Sequence, residues 1–67
     1  MIIKFKIKEI RENKGISLNQ LSEMSGVSST HINDIERGLK EPTLSVLIKI
    51  AVALEIEDER ELYEVIF

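Results

Sequence analysis

Apolar residues recur along the chain at two spacings. Near the start, Ile3, Phe5 and Ile7 alternate with Lys4 and Lys6. Alternation is a strand signature, although the same run also suits the ragged start of a helix. We place a short strand at Met1 to Lys4 and a first helix from about Phe5 to Lys14, burying Ile7 and Ile10 and stopping at Gly15. From there the spacing is helical. Ser17 is a capping residue with Gln20 three positions on, the pattern of a capping box. Leu21, Ser22 and Met24 follow at helical intervals. Gly26 stands where a helix leaves through a left-handed residue, and Ser28 where the next helix needs a capping oxygen. That helix runs from about Ser28 to Arg37, turns Ile32 and Ile35 inward, and ends at Gly38. Leu39 to Pro42 form a loop. Thr43 caps a fourth helix, Leu44 to Leu54, with Leu44, Leu47, Ile48, Ala51 and Leu54 as its inward stripe. Asp58 caps a short fifth helix through about Tyr63. The ending Tyr63 to Phe67 alternates and is compatible with a strand. The two helices and tight turn of residues 18–37 are the centre of this arrangement.

Sixty-seven residues suit one domain. A chain of this size buries only about 60% of its unfolded surface. With no cysteine, disulfides and thiolate metal sites are excluded. Stability must then come from packed helices or a second copy of the chain. No apolar run approaches the ~20 residues of a membrane span, and no signal-peptide pattern is seen, so a cytoplasmic location is expected. The net charge of −3 is unusual for a nucleic-acid binder. Its distribution changes the picture. Residues 1–54 carry eight Lys and Arg against six Asp and Glu, whereas residues 55–67 carry six acids and one base. A positive surface can therefore persist away from the acidic end, and phosphate binding depends on local contacts.

The third helix, with isoleucines on one side and Ser29, Thr30, Asn33 and Asp34 on the other, has the form of an element that enters a DNA major groove. Leu21, Ser22, Gly26, Val27, Ser28, Ile32 and the run Ile35-Glu36-Arg37-Gly38 carry a family resemblance. Pro42, Leu44, Leu47, Ile48, Ile50, Ala51 and Leu54 extend it downstream, and Ile7, Ile10, Arg11 and Lys14-Gly15 upstream. Over about residues 7–62 the chain resembles the lambda-repressor/Cro-like helix-turn-helix family, also called the xenobiotic-response-element type. The resemblance implies an all-α, five-helix DNA-binding domain, here with short terminal strands as a possible addition. It also implies a transcriptional regulator, with double-stranded DNA as partner and base contacts from Ser29, Thr30, Asn33 and Asp34. It pairs Arg11 with Glu36. Phosphate contacts are expected from Ser17, Ser28, Arg37, Lys40 and Lys14. Three positions depart from the family pattern: Leu18 in place of the usual glutamine, and the acidic Asp34 and Glu41. Each removes a favourable contact with a polyanion.

No catalytic or metal chemistry is expected. One histidine and one acid, His31 and Asp34, fall short of the four ligands of a zinc site. Ser28, His31 and Asp34 share a helix and cannot converge as a triad. No cofactor or small-molecule site is apparent. Some apolar residues exceed the needs of a small core. Because the chain shows no second domain for self-association, we expect a homodimer interface at Val46, Val52, Tyr63, Val65, Ile66 and Phe67. The rival reading is an antitoxin-like protein-interaction module that has drifted acidic.

Overall fold

A computed structural model describes all residues, 1–67. Strand β1, Ile2–Phe5, leads into helices α1 (Ile7–Asn13), α2 (Leu18–Ser25), α3 (Ser29–Glu36) and α4 (Leu44–Ala53). A 3-10 turn at Glu59–Leu62 and strand β2, Tyr63–Ile66, close the chain. There are four α-helices, not five. The expected last helix is a four-residue 3-10 turn, because Tyr63 is already extended and leads into β2. The two strands pair antiparallel within the chain, Ile2 with Ile66 and Phe5 with Tyr63. β1 runs one residue past the expected end, so α1 begins at Ile7 rather than near Phe5.

Local chemistry accounts for the helix starts. Ser17 accepts from the Gln20 N–H at 3.1 Å while the Gln20 side chain accepts from the Ser17 N–H at 2.8 Å, completing the capping box. Ser28 and Thr43 cap α3 and α4 through the N–H groups of His31 and Val46. Three helices end alike. The N–H groups of Ile16, Leu39 and Ile56 reach back to the carbonyls of Arg11, Asp34 and Ala51. This is the Schellman arrangement, whose pivot residue is left-handed. The pivot is glycine at Gly15 and Gly38, but at the end of α4 it is Glu55, with φ 59°.

The core is centred on Ile7, Leu21, Ile32, Ile35, Ile50, Leu54 and Leu62, its largest fully buried side chains, so every α-helix and the 3-10 turn share one apolar centre. Here α4 departs from expectation. Its inward face is Leu47, Ile50, Ala51 and Leu54, while Leu44 and Ile48 are 61% and 45% exposed. Val46, expected to be surplus, is half-buried against the core. The only polar residues of α4 are Ser45 and Lys49. The helix settles with these two outward, which turns Leu44, Ile48 and Val52 toward solvent.

Candidate nucleic-acid interface

The helix-turn-helix is rigid for identifiable reasons. Gly26 takes φ 76° and lets α2 end abruptly. The Ser22 hydroxyl donates to the Val27 carbonyl at 2.7 Å, and the Val27 N–H donates to the Ser25 hydroxyl at 3.2 Å. Both bonds satisfy turn groups that water would otherwise claim. The small Ser22 thus ties α2 to the start of α3. Ile32 and Ile35 then anchor α3 in the core.

A second tie holds the far end of α3. Arg11 grips Glu36 with two bonds, Nε to Oε2 at 2.7 Å and Nη2 to Oε1 at 3.0 Å, and its Nη1 donates to the Ile16 carbonyl at 3.2 Å. The two side chains are only 11% and 3% exposed. Hydrogen bonding to Glu36 raises the Arg11 pKa above its ordinary value, outweighing the opposing effect of burial. The pair implied by the resemblance is therefore present and fully engaged.

On the outer side of α3, Thr30 is exposed, while Ser29, Asn33, Asp34 and His31 are half-buried. The side chains of Ser29, Thr30, Asn33 and Asp34 make none of the chain's side-chain hydrogen bonds. Their donors and acceptors remain free for another molecule. Ser17 and Ser28 use a lone pair in capping but keep their hydroxyl protons for donation. Arg37 closes α3 and Lys40 lies in the following loop, both exposed. Lys14 is differently placed. It lines a depression with Glu55, Glu57 and Glu61, and no α3 residue lines the same depression.

Apart from Met24 and Leu39, the exposed large apolar residues fall in two groups. Leu44, Ile48 and Val52 recur every four residues along α4, and Val52 is 71% exposed. Val65, Ile66 and Phe67 are exposed on the terminal ribbon with Met1, Ile2 and Ile3. Tyr63 is half-buried and packs edge-on to Phe5, with ring centroids 6.3 Å apart. Leu44 and Ile48 were missed because their spacing is that of a core stripe. The cue was the Ser45–Lys49 pair beside them.

A helix-turn-helix family model matches residues 7–62. Among similar proteins, an uncharacterised HTH-type transcriptional regulator of Mycobacterium tuberculosis is 43% identical over 53 residues. That alignment spans 79% of this chain but only 38% of the relative. The restriction-modification controller protein C.AhdI of Aeromonas hydrophila superposes with a TM-score of 0.80 at 35% identity, covering 85% of each chain. The N-terminal DNA binding domain of SinR from Bacillus subtilis gives 0.78 at 34% identity, covering 85% of this chain and 83% of that one.

Proposed function

The chain belongs to the helix-turn-helix family of lambda-repressor/Cro-like type, and on that footing we propose that it is a DNA-binding transcriptional regulator. In this reading α3 lies in the major groove and two copies bind the half-sites of a palindromic operator, about 10 bp apart. One observation carries the proposal. α3 is locked by Ile32, Ile35 and the Arg11–Glu36 pair, yet its outer polar side chains have no partner in the chain. Asn33 suits a bidentate contact to adenine, Asp34 accepts from cytosine N4, and Ser29 and Thr30 donate or accept. Phosphates are met by the Ser17 and Ser28 hydroxyls, by the free N–H groups opening α2, and by Arg37 and Lys40. Lys14, which lines a depression with three glutamates, stays outside this set. The dimer draws on the exposed apolar groups of α4 and the ribbon.

Selection from a random DNA pool supplies the site for the test, and fluorescence anisotropy reads it. Asn33→Ala and Thr30→Ala should each lose about 1–3 kcal/mol of specific binding and relax preference at one base pair. Lys40→Ala should weaken all sequences alike and flatten the salt dependence by about one charge. Binding that is wild-type in both α3 variants rejects this docking. Absence of any salt-dependent DNA binding favours the protein-interaction reading instead.

A further inference from the structure

The terminal ribbon has one open side, and its hydrogen bonding identifies which. The Lys6 N–H donates to the Leu62 carbonyl at 2.7 Å, continuing the register that pairs Lys4 with Glu64 and Ile2 with Ile66. In an antiparallel ladder, pairs that exchange hydrogen bonds alternate with pairs that do not. Ile2, Lys4 and Lys6 therefore aim their backbone groups at β2, and Ile3 and Phe5 aim theirs outward. The turn, loop and side-chain hydrogen bonds use none of these outward groups. The opposite edge is less complete, because the Tyr63 N–H folds back to the Arg60 carbonyl.

The β1 edge is guarded only by Lys4. It has no proline and no bulge, and its one charged residue, Lys4, stands opposite Glu64. Apolar side chains flank it on both faces: Ile2 with Ile66 on one, Ile3 with Val65 on the other. On the Ile2–Ile66 face, β1 borders a groove whose far wall is the end of α3, Ile35 to Gly38. Such edges recruit strands.

We propose that β1 seats a second copy of this chain. Two β1 strands pair antiparallel across a twofold axis and join the ribbons into one four-stranded sheet, ordered β2–β1–β1–β2. This deepens the dimeric reading above and rests on it. Self-pairing also dictates the register. Outward backbone groups must meet outward groups, so odd residues face odd residues. Centring on Lys4 sets two ammonium groups directly opposite each other, which is unfavourable. Centring on Phe5 opposes Lys4 with Lys6 and runs into α1. Centring on Ile3 sets Ile3 against Ile3, Ile2 against Lys4 and Met1 against Phe5. The Ile3 pair then lies on the face that already carries Pro42, Leu44 and Val65.

Two sets of variants of the full chain test this. Ile3→Pro removes an N–H that the chain's own ladder does not use, at a position where edge strands tolerate proline. It should weaken dimerisation in sedimentation equilibrium at least tenfold and leave the far-UV circular dichroism spectrum unchanged. Under mild oxidation Ile3→Cys should form a disulfide-linked dimer, since hydrogen-bonded antiparallel pairs hold Cα atoms about 5.5 Å apart, within disulfide range. Lys4→Cys should not. Wild-type dimerisation by Ile3→Pro, equal cross-linking of the two cysteine variants, or a dimer dissolved only by Val52→Asp overturns the proposal. Failure of the DNA reading looks different: a β1-linked dimer that ignores every DNA sequence. If both hold, Ile3→Pro loses palindrome affinity but retains half-site binding.

Discussion

Arg11 and Glu36 show how much one pair of residues can organise. Each lies on a different helix, 25 positions apart, and together they fasten the end of α3 to α1. Removing either leaves the other charge in a nearly dry site. Single alanine variants should therefore cost on the order of 3 kcal/mol, above the ~0.2–1 of an exposed pair. Chemical denaturation midpoints check this, and unchanged midpoints in both variants would refute it. Glu55 is the opposite case, a residue the fold tolerates. Its left-handed backbone costs an L-residue about 1–2 kcal/mol, which glycine avoids at an entropic cost of about 0.5–1 kcal/mol on folding. Glu55→Gly should raise stability by up to about 1 kcal/mol, read from the thermal midpoint. Nothing in the residue type marked Glu55 as a helix pivot, whereas Gly15, Gly26 and Gly38 declared themselves.

Among the elements, helix starts were legible because a cap acts within three residues: Ser17, Ser28 and Thr43 all cap as their spacing implied. The inward face of α4 was not legible. That helix is apolar nearly all round, so periodicity left its rotation open, and packing chose Ile50 over Ile48. The polar face of α3 could be read because its two isoleucines leave one orientation only. The 3-10 turn was seen as a cap without its true length. There Asp58 accepts from the Arg60 N–H and guanidinium, and these bonds hold its carboxyl below the usual carboxylate range. A depressed pKa means the cap's contribution is present above the unfolded-state pKa and is lost as pH falls through the folded one. An NMR titration should find Asp58 titrating below ordinary aspartates, and Arg60→Ala should return it toward them.

At the scale of the whole molecule, charge and closure matter most. Glu55, Glu57 and Glu61 share a depression with Lys6 and Lys14, so part of the negative end is offset locally. Strand pairing between the termini was only an option in the sequence, since alternation at residues 3–7 and 63–67 cannot say whether the two runs meet within one chain or between two.

The meeting of Ile2 with Ile66 has a consequence for time as well as shape. It closes a loop of nearly the whole chain, whereas the Arg11–Glu36 tie between α1 and α3 spans 25 positions. Loop-closure entropy must be overcome before such a contact gives anything back. The helices should therefore assemble first and the ribbon zip last, with strand substitutions speeding unfolding and barely touching the folding rate. Joining the two ends by a short linker and reopening the chain near Lys40 would make the last contact local. Stopped-flow refolding of that permutant would show the ribbon forming with the helices rather than after them.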